Sequence, residues 1–179
     1  KMLNESFSRK GVNLKVMKAE DINLSCEPIL KEKPDFVIFW DKDIYLAQRL
    51  EAAGCRLFNS ARAIELCDNK ILMYQELAKH NIRIPKTFIA PKTFDFVGYS
   101  EESFARKIVE EIGFPCVVKE AYGSFGQQVY LAKNYDELFN IIKNIGYKDF
   151  LIQEFIKTSC GTDIRINVVG EKEVASMIR

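Results

Sequence analysis

The residues best suited to chemistry lie within residues 115–131, where an apolar run ends in Lys119. A short loop bracketed by Gly123 and Gly126 follows, and a second apolar run begins at Val129. Valine and tyrosine enrichment on both sides predicts two strands, and a connection too short for a helix makes them a hairpin. One ammonium and several backbone N–H groups on a flexible loop can surround a polyphosphate. The order differs from the common phosphate loop, in which the glycines precede the lysine and a helix follows. Taken alone, a hairpin with a glycine tip and a nearby lysine reads first as a plain turn.

The elements that must position this hairpin belong to a chain of ordinary globular composition. It has 179 residues, 47% hydrophobic and 28% charged, enough for one large domain or two small ones. With 26 basic and 25 acidic residues the net charge is +1, so no excess field points to nucleic acid or an anionic membrane. No apolar run approaches the length of a membrane helix, and the first residues lack a signal-peptide core. The five cysteines, Cys26, Cys55, Cys67, Cys116 and Cys160, are odd in number and form no close pair. That pattern suits reduced thiols and a cytoplasmic setting rather than a disulfide frame or zinc site. The only histidine, His80, falls near a predicted helix end, where the dipole favours a cation.

Before residue 60 the pattern is that of a parallel α/β unit. A helix is expected over residues 4–10, closed by Gly11, and a weak strand over 12–16. The unbroken apolar run 36–40 suits a parallel strand buried on both faces. Leu46, Ala47 and Leu50 have helical spacing, Gly54 stops that helix, and residues 55–58 form a short strand. After residue 68 the pattern is α+β. Ser60 introduces a helix over 62–66, and Asp68 is expected to cap a helix over 69–80 with Ile71, Tyr74, Leu77 and Ala78 as its stripe. A strand is expected over 87–90 and a mobile loop over 91–99. Ser100 is expected to cap a helix carrying Phe104, Ala105, Ile108, Val109 and Ile112, ended by Gly113 and Pro115. Asn134 with Glu137 caps another helix with a Leu138, Ile141, Ile142, Ile145 stripe and Gly146 as its stop. A strand over 150–156 and a hairpin over 163–178, turning at Gly170, complete the pattern, with Ile164, Ile166 and Val168 on one face.

Four features recur in a set order: Asp68-Asn69-Lys70, Lys119 with its 123–126 loop, Gln153-Glu154-Phe155-Ile156, and Asp163-Ile164-Arg165 followed by Gly170. Together with Asn59-Ser60-Ala61-Arg62-Ala63-Ile64, this order resembles the ATP-grasp superfamily and, within it, the RimK-like glutamate-ligase branch. The family usually has Asp and Lys adjacent, whereas here Asn69 separates Asp68 from Lys70. The likeness runs from about residue 34 to residue 179. It implies an α/β protein: a partial Rossmann-like pre-ATP-grasp domain over 1–67, followed by an ATP-grasp domain over 68–179. The latter is expected to be α+β, an antiparallel sheet with helices, and incomplete at its C-terminal side.

The same resemblance implies ATP as cofactor, with Lys70 and Lys119 on its phosphates and Gly123, Ser124, Phe125 and Gly126 closing as a flap. ATP brings about four negative charges into a cleft, so cations from separate elements are required. Adenine would meet the Gln153-Glu154-Phe155-Ile156 hinge, Glu154 or, better by family position, Asp163 the ribose, and Arg165 and Arg179 the transferring phosphate or a substrate carboxylate. The plainer readings are a solvated helix lysine for Lys70, packing for Phe125, an exposed strand-end carboxylate for Glu154, and a surface ion pair for the two arginines. Mg2+ ligands are expected beyond Arg179, with none assigned within the chain, and residues 1–179 alone are expected to be inactive. The activity implied is ATP-dependent carboxylate–amine ligation through an acyl phosphate, adding glutamate or another amino acid to a protein or small-molecule acceptor. The partners are the nucleotide and this substrate pair, and a homo-oligomer is compatible with the reading. The alternatives are a nucleotide-binding module without ligase activity, a small-molecule kinase on the same scaffold, and a structural α/β module whose glycine loop is only a turn.

Overall fold

The computed structural model describes residues 2–22, 25–27, 30 and 32–179. The chain divides into two compact units, Lys1–Glu65 and Leu66–Arg179. In the first, helix α1 (Met2–Ser8) is followed by a short 3-10 turn at Ala19–Asp21, strand β1 (Val37–Ile38), helix α2 (Ile44–Ala52) and strand β2 (Leu57–Phe58). The two strands pair in parallel, Val37 with Leu57 and Ile38 with Phe58, as the α/β pattern requires. Asp43 caps α2 by accepting from the Leu46 N–H at 2.9 Å. Leu46, Ala47 and Leu50 then meet Phe39, Cys55 and Leu57 in one core with Ala61 and Ile64.

Two expectations fail in this unit. Residues 12–16 form no strand. The apolar run 36–40 is not buried on both faces: only Phe39 is fully buried, and Trp40 is 87% exposed. A parallel strand is buried on both faces only where helices pack on both, and among the described residues the core gathers on one side, around Phe39.

The second unit opens with the end of helix α3 (Ala61–Asp68), then helix α4 (Lys70–Lys79). The α4 cap is Asn69, not Asp68: its side chain accepts from the N–H groups of Ile71 and Leu72, and Asp68 closes α3. Strand β3 (Thr87–Ile89), helix α5 (Ser103–Ile112), strands β4 (Cys116–Glu120) and β5 (Val129–Ala132), helix α6 (Tyr135–Ile145) and strand β6 (Phe150–Glu154) follow. The sheet order is β3-β6-β4-β5, antiparallel throughout. Helix α5 starts at Ser103 after Glu102, whose side chain makes no capping bond, so Ser100 is not the cap. Helix α6 is capped as its sequence requires, with Asn134 Oδ1 accepting from the Glu137 N–H at 2.9 Å.

Strand alternation divides the sheet into two faces. One presents Cys116, Val118, Ala132, Phe150 and Ile152 to Ala105, Ile108 and Val109 of α5 and Leu138, Ile142 and Ile145 of α6. The other carries Thr87, Val117, Lys119, Leu151 and Gln153, which the register aligns across β3, β6 and β4. The loop over residues 91–99, expected to be mobile, is stitched by Thr93 Oγ1 donating to the Gly98 carbonyl at 2.6 Å and Tyr99 OH to that of Pro91 at 2.7 Å. The last elements, β7 (Ile164–Val169) and β8 (Lys172–Ile178), form an antiparallel hairpin. Its residues are exposed on both faces, so the face that Ile164, Ile166 and Val168 share is open to solvent.

Candidate functional site: a lysine held in a hydrogen-bond network beside a glycine loop

Position 119 lies on the face of the sheet opposite α5 and α6, and its ammonium has specific partners there. Lys119 Nζ donates to Gln153 Oε1 at 2.7 Å and to the Tyr74 hydroxyl at 3.0 Å. It also lies 5.3 Å from the centre of the Tyr74 ring, within cation–π range. Gln153 is only 2% exposed, so its amide must be hydrogen-bonded locally. Its Nε2 donates to Thr87 Oγ1 at 2.6 Å, and the Thr87 hydroxyl donates to the Pro85 carbonyl at 2.7 Å.

Tyr74 comes from α4, one turn beyond Lys70, so the helix that carries one candidate cation reaches the other. Lys70 anchors the start of the glycine loop twice. Its N–H donates to the Ala121 carbonyl at 2.8 Å, and its Nζ to that of Gly123 at 3.0 Å. The loop carries unusual backbone. Gly123 has φ +140°, and a Cβ there would fall 2.2 Å from Gln128 Oε1. Phe125 has φ +57° at 99% exposure, an uncommon placement for an aromatic residue. Gln127 N–H donates to the Ser124 carbonyl at 3.2 Å, so this donor is turned into the loop. Gln128 Oε1 is buried without a hydrogen-bond partner.

Glu120, the residue after Lys119, faces the opposite way and is buried at 7% exposure. Tyr130 OH donates to its Oε1 at 2.7 Å and Lys148 Nζ to its Oε2 at 3.0 Å. Burial favours the protonated form. The hydrogen bonds from Tyr130 and Lys148 and the charges of Lys148 and Lys70 outweigh it and hold the carboxyl below its ordinary range. The Tyr130 hydroxyl is held above its ordinary range, chiefly by the bond it donates to Glu120.

The structure thus brings together Lys70, Lys119, Gln153 and the loop containing Gly123, Ser124, Phe125 and Gly126. Glu154, next to Gln153, points to the other face. Its Oε1 accepts from the Lys86 N–H at 2.8 Å, so this strand-end carboxylate is engaged with backbone. Phe155 is half-buried and Ile156 is 39% exposed just beyond β6. Asp163, Arg165 and Arg179 belong to the exposed hairpin. Arg179 forms a two-pronged pair with Asp163, which holds the Asp163 carboxyl below its ordinary range. For Arg179 the plainer reading, a surface ion pair, is the arrangement seen.

Sequence reading missed Tyr74, Thr87, Glu120, Tyr130 and Lys148. Tyr74 counted only as an apolar stripe, and the polar residue within the apolar run at 120 was the one signal available for Glu120.

A nucleoside triphosphate fits these residues, with two cations from separate elements and a loop that admits no Cβ at Gly123 without displacing Gln128. For a metal, the described residues contain no group of three or more His, Cys, Asp or Glu able to hold one. Among them, no helix is long and apolar enough to cross a membrane.

Residues 67–179 match the family model described as the RimK-like ATP-grasp domain. A Mycoplasma pneumoniae protein, "Uncharacterized protein MG012 homolog", is 33% identical over 98% of this chain and 62% of its own length. Beta-citrylglutamate synthase B of Mus musculus is 39% identical over 78% of this chain and 35% of its own length. The chain therefore spans less than two thirds of either relative. The crystal structure of a RimK domain ATP-grasp protein from Sphaerobacter thermophilus has the same fold, at TM-score 0.80 and 21% identity, over 99% of this chain and 67% of that one. Fold, motif order and family model agree: the chain belongs to the RimK-like ATP-grasp family.

Proposed function

We propose that the protein is an ATP-dependent carboxylate–amine ligase. The observation that carries this reading is the placement of Lys119. Its ammonium is fixed on the face of the sheet opposite α5 and α6, between Gln153 and Tyr74 of α4, beside a loop that Lys70 closes. Lys119 and Lys70 bind the phosphates of ATP, and the loop over residues 123–126 folds over them. An anionic phosphate displaces the Gly123 carbonyl from the Lys70 ammonium, because a charge-assisted bond is the stronger of the two. This exchange releases the loop to move.

A substrate carboxylate oxygen attacks the γ-phosphorus, ADP leaves, and an acyl phosphate forms. An amine nitrogen then attacks the acyl carbon, phosphate leaves, and the nitrogen gives up a proton to yield the amide. The chain's own residues contribute positioning and charge neutralisation, which dominate phosphoryl transfer in general. Magnesium would supply further neutralisation of the phosphates. The hinge over residues 153–156 receives the adenine. Asp163, Arg165 and Arg179 act on the ribose, the transferring phosphate or a substrate carboxylate once the hairpin meets the nucleotide. The resemblance to beta-citrylglutamate synthase B favours an amino acid, glutamate foremost, as the amine.

The test is a product assay on the full-length protein with ATP, candidate carboxylic acids such as citrate, and hydroxylamine. Hydroxamate formation marks an acyl phosphate, whereas phosphate transfer to a hydroxyl without hydroxamate marks a kinase and refutes the proposal. In parallel, Lys119→Ala is expected to weaken ATP binding by about 1.5–3 kcal/mol, or roughly 10- to 150-fold.

A further inference from the structure

An ammonium has three N–H donors, and two of those on Lys119 are engaged within the protein. The partner at 2.7 Å is an amide, and an amide can meet a cation only through its oxygen. Gln153 must therefore present Oε1 to Lys119 and Nε2 elsewhere. Turned over, it would set an NH2 group against an ammonium at a site where Gln153 is 2% exposed.

Thr87 prevents that turn. Gln153 and Thr87 are register partners on adjacent strands, so their side chains share one face of the sheet. The Thr87 hydroxyl proton goes to the Pro85 carbonyl, which leaves Oγ1 able only to accept, and it accepts from Gln153 Nε2 at 2.6 Å. Direction is thus fixed along the whole chain: Lys119 to Gln153, Gln153 to Thr87, Thr87 to the backbone at Pro85. Tyr74 acts from the opposite side. Its oxygen accepts from Lys119 at 3.0 Å and lies 3.4 Å from Gln153 Oε1, so the hydroxyl proton can turn toward the same amide oxygen.

We infer that Thr87, acting through Gln153, and Tyr74 are positioning residues for the Lys119 ammonium. They fix it so that its third N–H is left for a phosphate oxygen. The inference rests on the reading above that Lys119 binds the triphosphate. Thr87 touches neither Lys119 nor, on this account, the nucleotide, so its effect on binding must pass through the network.

The test is calorimetric titration of the full-length protein with ATP in magnesium buffer, using wild type, Thr87→Val, Thr87→Ser, Lys119→Ala and the Thr87→Val/Lys119→Ala pair. Thr87→Val keeps the shape and removes the acceptor. It is expected to weaken ATP binding about fivefold, the worth of one net hydrogen bond. Thr87→Ser restores wild-type affinity, and Thr87→Val has no further effect once Lys119 is alanine. An equal loss in both backgrounds shows a general structural role and overturns the inference, as does wild-type affinity in Thr87→Val. If Lys119→Ala leaves ATP affinity unchanged, the phosphate-binding reading fails and takes this one with it. If Lys119→Ala weakens binding while Thr87→Val does not, only the inference fails. Should Thr87→Val lose its near-UV circular dichroism, Tyr74→Phe, which keeps the ring, carries the same cycle with the same outcomes.

Discussion

Replacing Glu120 by glutamine tests the physical account of the site's support most sharply. The change keeps volume and removes charge. In the wild type, one carboxylate oxygen accepts from Tyr130 at 2.7 Å and the other from Lys148 at 3.0 Å. An amide has a single oxygen, so one contact must go. If the NH2 group faces Lys148, it opposes a cation. If it faces Tyr130, the hydroxyl must turn from donor to acceptor. Removing one partner of a fully buried ion pair costs about 3–5 kcal/mol, but the Lys148 side chain is 59% exposed and can return to water. The loss reduces to one charge-assisted hydrogen bond, about 1.5–3 kcal/mol. Urea unfolding at neutral pH should show a midpoint lowered by roughly 1 M with an unchanged slope.

The pH dependence carries a definite sign. The folded carboxyl titrates below its ordinary value of 4.5, so the unfolded chain takes up this proton first as pH falls. The stabilisation is fully present above about pH 4.5 and is lost as pH drops through the lower folded value. Wild type and Glu120→Gln should therefore converge in acid. Equal stability at neutral pH, or a difference that persists undiminished to pH 3, would refute the reasoning.

Two further outcomes follow from the same geometry. Gly123→Ala places a Cβ 2.2 Å from Gln128 Oε1 at a φ of +140°, so the loop must rearrange. ATP binding should weaken and urea stability should fall by about 1–3 kcal/mol from the strained backbone, with the core contacts kept; a variant that binds ATP as wild type contradicts the role of the loop. Cys116 is fully buried in the sheet and its thiol is pushed up to about 11, chiefly by burial, whereas Cys26, Cys67 and Cys160 are exposed. Thiol labelling of the native protein followed by mass spectrometry should find those three modified and Cys116 protected until unfolding, and early labelling of Cys116 contradicts the described core.

Local signals carried much of the fold. The α6 cap at Asn134, the parallel pairing of β1 with β2 and the β4–β5 hairpin were legible because each depends on neighbouring residues or on a simple apolar period. The α4 cap was displaced by one residue because Asp68 and Asn69 are both good caps and only the path of α3 decides between them. Ser100 looked like a cap, but the chain enters α5 through Glu102.

The polar pair Gln153-Glu154 shows what a sequence cannot decide. Adjacent strand residues point to opposite faces, and only the register, Val117 opposite Gln153 and Cys116 opposite Glu154, places Gln153 with Lys119. Glu120 draws its partners from positions 10 and 28 residues away, a distance at which no periodicity speaks. Tyr74 was hidden because a tyrosine in an apolar stripe has an apolar body, and its hydroxyl partner lies 45 residues on.

The central claim is that Lys70 and Lys119 meet the same triphosphate, and the most direct measurement compares ATP with adenosine. Full-length Lys70→Met, Lys119→Met and the double variant would each be titrated with both ligands. The account predicts that each single change weakens ATP at least tenfold and leaves adenosine unaffected, with losses in the double variant that are not additive. Equal weakening of ATP and adenosine, or unchanged ATP binding in either single variant, would contradict it.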